Sequence, residues 1–191
     1  MKTHPNNGTP LSTEETNILN KHQWAQHIGE NLGIWVSIKN QKLYVIKNNI
    51  IIWQTSCSTA IKGAGEKKDS HQTPRGWHQI VEKIGDHAPW GQIFRNRKPI
   101  GLWDKTQITE KSLILTRILR LDGLEEGKNK GVNNKDEIVD TYQRYIYIHG
   151  TNKEELIGTP SSHGCICLTN DDAITLYNII PLHTKILITE E

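Results

Sequence analysis

Apolar and polar residues alternate in the early part of the chain, which is the period of a half-buried β-strand. The alternating run covers residues 34–38, a second candidate strand covers 42–47, and a mostly apolar run covers 50–54. The polar pairs Asn40-Gln41 and Asn48-Asn49 separate these runs and suit tight turns. The three runs therefore predict an antiparallel meander.

Later parts of the chain carry further strand patterns and one helix pattern. Short runs rich in β-branched and aromatic residues predict strands at 76–84, 113–120, 144–149, 164–168 and 184–189. A helix is predicted after residue 170, because Ala173, Leu176 and Ile180 recur at helical spacing. Polar residues 170–172 would cap this helix and Pro181 would end it. The pattern as a whole predicts a mostly β fold.

The N-terminal segment is more polar and predicts a helix. Residues 12–15 read Ser-Thr-Glu-Glu and form a capping box pattern. The helix would run to about Ile28, with Ile18 and Leu19 on a thin apolar face. We expect an accessory helix that packs on the domain.

Two long stretches lack any periodic pattern. Residues 62–73 are rich in Gly, Lys and Asp, and residues 123–140 contain three glycines among many Asn and Lys residues. Loops of this length in a compact domain are commonly functional lids or mobile segments.

Composition and charge narrow the possible partners. The 191 residues include 23 Lys and Arg against 21 Asp and Glu, a net charge of +2, so neither nucleic acid nor an acidic membrane surface is an expected partner. No apolar run approaches the roughly 18–20 residues that cross a bilayer. The N-terminus has no apolar core of a secretory signal. We therefore expect a cytoplasmic protein, or a periplasmic one if a signal has been removed.

The three cysteines are Cys57, Cys165 and Cys167, and their odd number disfavours a disulfide scaffold. In an extended strand, the Cα atoms of Cys165 and Cys167 would lie about 6.6 Å apart, at the edge of bridgeable geometry. Free thiols in a reducing compartment fit both observations.

The densest group of reactive residues lies between positions 147 and 170. His149 ends one predicted strand and Cys165 begins another, so paired strands would bring imidazole and thiol together. A neighbouring histidine can activate a cysteine as a nucleophile. The backbone amides of Gly164 and Cys165 could form an oxyanion hole, with Ser162 and His163 orienting the loop. The residue types alone leave open whether His149 and Cys165 are catalytic or structural.

Zinc binding is a second interpretation of the same cluster. His149, His163, Cys165 and Cys167 are four possible ligands. The spacing lacks the usual cysteine pair with two to four residues between its members, because a single residue separates Cys165 from Cys167. A glycine beside the thiol also suits an oxyanion hole better than a closed metal cage. We therefore expect no metal and no cofactor.

Two motifs resemble those of a known family. The pair His149-Gly150 followed by Ser-His-Gly-Cys at 162–165 resembles the L,D-transpeptidase catalytic domain, also called the YkuD-type domain. Thr-Pro-Arg-Gly at 73–76 is similar to that family's Thr-Pro-x-Gly element. The resemblance covers about residues 33–189. It implies a YkuD-like β-sandwich with one or two short helices over residues 33–191, preceded by an N-terminal extension over residues 1–32.

The resemblance also implies a reaction. Cys165 would attack the L,D-peptide bond between the third residue of a peptidoglycan stem, often diaminopimelate, and the D-alanine in the fourth position. His149 would act as base and acid, and the carbonyl of Gly150 would take the place of a third triad member. Ser162, His163 and Gly164 would shape the loop and the oxyanion hole.

The family usually has Arg or Asn two residues after the cysteine, and this chain has Cys167 instead. Cys167 should still face the site, because residues two apart share a face of a strand. Thr73, Tyr147 and Cys167 are predicted to contact substrate. Arg117 is a further candidate, because an arginine on an otherwise apolar strand face needs an anionic partner, either the D-alanine carboxylate or a structural acid.

The acyl acceptor decides between two activities. Without a recognisable signal, we expect water as acceptor and an L,D-carboxypeptidase that acts on recycled muropeptides. Transfer to an amine would instead make 3–3 crosslinks as an L,D-transpeptidase. The expected partners are a peptidoglycan tetrapeptide or muropeptide and carbapenem-type inhibitors. An alternative of another class is a non-catalytic peptidoglycan-binding module.

Overall fold

Strands make up most of the regular structure in the computed structural model, which describes residues 8–106 and 109–191. The strands are β1 (Thr9–Pro10), β2 (Leu32–Ser37), β3 (Lys42–Lys47), β4 (Ile50–Ser56), β5 (Gly76–Ile84), β6 (Gln92–Arg95), β7 (Lys98–Leu102), β8 (Ile114–Gly123), β9 (Tyr147–Gly150), β10 (Ile166–Leu168) and β11 (Lys185–Thr189). The helices are α1 (Thr13–Lys21), α2 (Trp24–Ile28) and α3 (Asn170–Ile179), with a 3₁₀ turn at Glu154–Leu156. The mostly β fold class is confirmed.

All strands in the described residues belong to one mixed sheet. Its order is β1-β4-β3-β2-β11-β5-β8-β6-β7, and β9 branches from β8 and carries β10. Two pairs are parallel, β11 with β2 and β10 with β9. The predicted meander is confirmed, since β2, β3 and β4 are antiparallel neighbours.

The alternation in β2 separates two apolar cores on opposite faces of the sheet. Ile34 and Val36 lie on the α3 side, whereas Trp35 lies on the side of α1 and α2. The first core includes the buried residues Leu43, Val45, Leu119, Leu121, Ile148, Ile166, Ala173, Leu176 and Ile186. The second includes the buried residues Leu19, Trp24, Ile28, Tyr44, Ile46, Ile51, Trp77 and Leu187.

The N-terminal segment forms two helices where one was predicted. The capping box at the start of α1 is present, with Glu15 N donating to Ser12 Oγ at 3.2 Å and Ser12 N donating to Glu15 Oε2 at 2.8 Å. The chain then turns at Gln23, which has a left-handed φ of 57°. This turn lets Trp24, which the apolar pattern missed, reach the same core as Leu19. The division of the chain at residue 32 stays a prediction.

α3 confirms the predicted helix, but its N-cap is Thr169 and not Asn170. Asp172 N donates to Thr169 Oγ1 at 3.2 Å, so the cap lies one residue earlier than the sequence suggested. Pro181 follows the helix as expected. None of the helices in the described part of the chain has the length and apolar character that crossing a membrane would require.

The hairpin of β6 and β7 was not predicted. Its turn is Asn96-Arg97, and both residues have positive φ angles, 50° and 65°, as in the turns that favour two-residue hairpins. Every residue of β7 is exposed, so the strand carries no alternating pattern. The hairpin joins the sheet where β6 pairs with β8 at Ile114 and Leu115.

Candidate active site

The parallel pair β9 and β10 brings the reactive side chains together. Cys167 and His149 are register partners in this pair, so their side chains lie on the same face. A cavity of about 200 Å³ is lined by His149, Cys165 and Cys167, together with Ser162 and His163. The structure thus brings together the two strands that the sequence placed at this site.

His149 is held in one tautomer by its own backbone neighbour. Its Nδ1 lies 2.8 Å from the carbonyl oxygen of Gly150. Because a carbonyl can only accept, Nδ1 carries the proton of the neutral ring and Nε2 presents a lone pair. Burial lowers the pKa of His149 below its usual value, so the ring is neutral at pH 7. Nε2 lies 3.8 Å from Cys167 Sγ.

Cys165 contacts backbone groups of Tyr145, just before β9, and of Tyr147, the first residue of β9. Its Sγ donates to the carbonyl of Tyr145 at 3.6 Å. Burial raises the pKa of the Cys165 thiol to about 11, while the backbone N–H of Tyr147 and the charge of Arg144 act in the opposite direction. The resting site therefore contains a protonated Cys165 thiol and a neutral imidazole, and the thiol needs a base to react.

A chain of hydrogen bonds fixes the loop that precedes Cys165. Ser162 Oγ donates to the carbonyl of Cys165 at 2.6 Å and accepts from Gly164 N at 3.2 Å. The Gly164 amide, predicted as an oxyanion donor, is therefore engaged by Ser162 in this conformation. A short hydroxyl side chain two residues earlier is well placed to capture that N–H in a local turn.

Gly164 has a φ of 130°, a conformation that side chains rarely adopt. A Cβ atom there would lie 3.1 Å from Ile146 Cδ1 and 3.2 Å from the carbonyl oxygen of Gln72. Glycine is thus required for the loop to pack this closely against its neighbours.

Thr73 and Tyr147 occupy positions that differ from the sequence prediction. Thr73 is fully buried, and its Oγ1 accepts from Ala60 N at 3.0 Å and donates to the carbonyl of Gly164 at 3.0 Å. It therefore holds the loop before Cys165 in place and has no exposed surface. Tyr147 is also buried, and its hydroxyl accepts from Arg97 Nη1 at 3.2 Å.

Arg117 is not brought to this site. Its Nη1 donates to the carbonyls of Ala88 and Thr116, at 2.7 and 2.6 Å. The strand register shifts between Leu115 and Ile118, with Thr116 at a φ of 67°, and this bulge redirects the side chain. Carbonyl oxygens, and not an acid, are the partners of its Nη1, while its Nε is buried without a hydrogen-bond partner among the described residues.

A larger neighbouring cavity of about 430 Å³ has a cationic wall. Lys68, Arg120 and Arg144 line it with one acid, Asp69, and His163 lines both this cavity and the one at Cys165. Arg120 is paired with Glu82 at 2.8 Å. The wall thus presents an excess of positive charge next to the thiol.

Arg144 is the residue of this site that sequence reasoning missed. Its guanidinium donates to uncharged acceptors, namely Gly65 O, Glu66 O, Ser70 Oγ and Gln72 O, at 2.6–3.3 Å. These bonds tie the irregular 62–73 segment to the site, and among the described residues no acid is hydrogen-bonded to this charge. The available signal was a lone arginine five positions before His149, at the start of a predicted strand.

Within residues 8–106 and 109–191, no three His, Cys, Asp or Glu side chains are grouped so that they could hold a metal ion. The three cysteines are free thiols.

The sequence and the fold were compared with known proteins. A profile of the L,D-transpeptidase catalytic domain, YkuD, matches residues 32–188. YqjB of Bacillus subtilis, which bears the name of an L,D-transpeptidase, is 48% identical over 48 residues, which are 25% of this chain and 27% of YqjB. ErfK/SrfK of Salmonella typhimurium, named in the same way, is 26% identical over 159 residues, which are 83% of this chain and 44% of that protein. The chain therefore spans less than half the length of these two relatives.

A solved structure agrees with the profile. L,D-transpeptidase 3 from Mycobacterium tuberculosis, in complex with a faropenem-derived adduct, superposes with a TM-score of 0.51 at 14% identity, covering 83% of this chain and 60% of that chain. At this identity the likeness concerns the fold alone. The profile covers most of the chain and the fold agrees with it, so the chain belongs to the L,D-transpeptidase catalytic-domain (YkuD) family.

Proposed function

We propose that this protein transfers the acyl group of a peptidoglycan stem peptide through a thioester on Cys165, with His149 as general base and acid. The observation that carries the proposal is that both side chains line one cavity in a chain of the L,D-transpeptidase family. The bond cleaved would be the L,D-peptide bond between the third residue and the D-alanine that follows it. Cleavage releases D-alanine and leaves the acyl group on sulfur.

The protonation states support this sequence of steps. Nε2 of the neutral His149 can take the thiol proton as Cys165 Sγ attacks the peptide carbonyl. The imidazolium then gives that proton to the leaving amine of D-alanine, and the carbon–nitrogen bond breaks. The carbonyl of Gly150 keeps the proton on Nδ1 throughout and stabilises the charged ring. In the second half, His149 deprotonates the acceptor that attacks the thioester.

The charge of the larger cavity suits a carboxylate-bearing peptide. Lys68 and Arg144 line it, neither is hydrogen-bonded to an acid within the described part of the chain, and stem peptides carry free carboxylates. This wall takes over the role that the sequence suggested for Arg117.

Two acceptors are compatible with the site. The cavity at Cys165 and the larger cationic cavity share His163 as a lining residue, so a second peptide bound in the larger cavity would favour transfer to an amine and a 3–3 crosslink. Cys165 is also partly exposed, so water can reach a thioester there, as the carboxypeptidase expected from the sequence requires. The proposed acyl-enzyme is common to both reactions.

The acceptor is tested with disaccharide tetrapeptide and mass spectrometry of the products. Tripeptide without dimer identifies water as the acceptor, and a 3–3 linked dimer identifies an amine. The absence of both with folded protein contradicts the proposed function, as does undiminished turnover by Cys165→Ala.

A binding module without catalysis is distinguished by a covalent probe. The Mycobacterium tuberculosis relative was solved with a faropenem-derived adduct. We expect faropenem to add its mass to the wild-type protein and not to Cys165→Ala. An unmodified wild-type protein would favour the binding module.

A further inference from the structure

Cys167 is a buried thiol that the proposed reaction does not use. It lies beside His149 in the register of β9 and β10, and only 8% of its surface is exposed. Its Sγ is 3.8 Å from His149 Nε2, the nitrogen that the reaction requires as a base. Cys165 Sγ, by contrast, donates to the carbonyl of Tyr145.

The direction of the contact follows from the other ring nitrogen. Nδ1 of His149 donates to the carbonyl of Gly150, so Nε2 of the neutral ring can only accept. The Cys167 S–H is therefore the donor. Burial and the neighbouring thiols of Cys165 and Cys57 raise the pKa of Cys167 above its usual range, which keeps the donor proton in place.

We propose that Cys167 is a positioning residue, whose thiol donates to His149 Nε2 and holds the neutral imidazole toward the cavity. During the reaction, Nε2 would give up this hydrogen bond and accept the proton of Cys165 instead. The inference rests on the proposed function for the role of His149, but its central claim concerns only the resting ring. Gly150 fixes one nitrogen and Cys167 the other, so the ring is held from both ends. Two thiols that line one cavity thus share one base.

The surroundings of the ring contain few competing charges. Among the described residues, the titratable groups that line the cavity with His149 are Cys165, Cys167, His163 and Lys153. A hydrogen bond to the lone pair of Nε2 favours the neutral imidazole. Removal of the donor should therefore make His149 easier to protonate.

The test is a ¹⁵N NMR titration of the histidine side chains, with His149→Gln used to assign the His149 signals. We expect wild-type His149 to be the Nδ1–H tautomer. In Cys167→Val, which keeps a strand-forming side chain of similar size without a donor, the titration midpoint of His149 should rise by about one pH unit, the order of magnitude of one lost hydrogen bond. Cys167→Ser keeps a donor and should restore a midpoint close to that of the wild type.

Cys57→Ala provides a matched control. Cys57 is a free, buried cysteine whose thiol raises the pKa of Cys167 but does not line the cavity. Its replacement disturbs the packing near Cys167 but keeps the Cys167 donor, so the His149 midpoint should stay close to that of the wild type. The faropenem acylation rate falls as His149 becomes protonated at low pH. The pH at which it falls should rise with the His149 midpoint in Cys167→Val and should stay the same in Cys57→Ala.

Two results would overturn the inference. One is a folded Cys167→Val protein whose His149 tautomer and midpoint equal those of the wild type. The other is an equal shift in Cys167→Ser and Cys167→Val. If Cys167→Val does not fold, Cys167→Ala serves as the variant without a donor. Since the NMR readout needs no substrate, failure of stem-peptide turnover counts against the proposed function and leaves this test intact.

Discussion

The hydroxyl of Thr73 donates to the carbonyl oxygen of Gly164 at 3.0 Å, across 91 positions of sequence. The same hydroxyl accepts from Ala60 N, so one buried side chain joins the loop before Cys165 to the segment that follows β4. The Thr-Pro-x-Gly element is thus physically linked to the Ser-His-Gly-Cys loop. Its role here is to support that loop.

Thr73→Val should therefore weaken both the fold and the site. It leaves the carbonyl of Gly164 and the amide of Ala60 buried without partners, which should lower the free energy of unfolding by about 1–3 kcal/mol. Urea denaturation measures this loss, and the faropenem acylation rate should fall with it. Thr73→Ser keeps the hydroxyl and should retain most of both. Equal behaviour of the two variants would show that the hydroxyl is not what matters.

Gly164→Ala should be more harmful than its small size suggests. The new Cβ would meet Ile146 and the carbonyl of Gln72 at a φ of 130°, so strain and crowding combine. We expect a cost on the order of 1–3 kcal/mol in unfolding free energy and a strong loss of Cys165 acylation. Gly158→Ala separates the two causes, because Gly158 also has a positive φ of 97° but has no atom within 4 Å of the added Cβ. If both variants cost the same, crowding at Gly164 contributes nothing.

His78 should make stability depend on pH. It is fully buried, with Nδ1 3.0 Å from the carbonyl of Gly76 and Nε2 3.1 Å from Thr141 Oγ1. Burial lowers its pKa to about 4 from the ordinary 6.5. The unfolded chain binds the proton more readily than the folded one between these values. Stability is therefore complete above pH 6.5 and falls as the pH decreases toward 4, by on the order of 3 kcal/mol.

The measurement is urea denaturation of wild type and His78→Gln at intervals between about pH 8 and about pH 4, which brackets both pKa values. Buried His149 contributes in the same direction, since its pKa is also lowered, and this part remains in the variant. The difference in unfolding free energy between the wild type and His78→Gln should therefore become smaller as the pH falls. A difference that stays constant with pH would contradict the assignment to His78.

Much of the fold, and the nearness of His149 to Cys165 in the candidate site, could be predicted from the sequence. Short apolar runs separated by polar turn residues identified β2, β3 and β4. Both faces of β2 and β3 are buried in the centre of the sheet, so these strands are apolar almost throughout. His149 and Cys165 were identifiable from their motifs, since His149 lies on one strand of a parallel pair and Cys165 directly precedes the other. What these signals share is that they are local in sequence.

The features that the sequence did not predict depend on tertiary structure. Arg117 lies within the bulge between Leu115 and Ile118, where its guanidinium turns to backbone carbonyls while Leu115 and Leu119 remain buried. A bulge changes which residues face the core, and nothing in the composition of the strand marks it. β7 was not predicted because it is exposed throughout and has no apolar period. The role of Arg144 was not predicted because its hydrogen-bond acceptors lie 72 to 79 positions earlier in the chain.

Arg144 supports the last prediction. Its guanidinium holds four acceptors of the 65–72 segment, and its charge opposes the effect of burial on the pKa of Cys165. Arg144→Leu removes both the bonds and the charge. We expect it to lower the unfolding free energy by about 2–3 kcal/mol, since hydrogen bonds to a charged donor are stronger than average, and to slow Cys165 acylation at least roughly tenfold.

Arg144→Lys separates the two contributions, because a lysine keeps the charge but cannot bind several acceptors at once in a planar fork. It should recover part of the acylation rate at neutral pH while remaining as unstable as Arg144→Leu. The pH dependence of iodoacetamide alkylation gives an independent reading, since that reaction requires the thiolate. The rate in Arg144→Leu should rise at higher pH than in the wild type and in Arg144→Lys. If the alkylation profiles of all three proteins coincide, Arg144 only stabilises the loop and its charge does not lower the pKa of the Cys165 thiol.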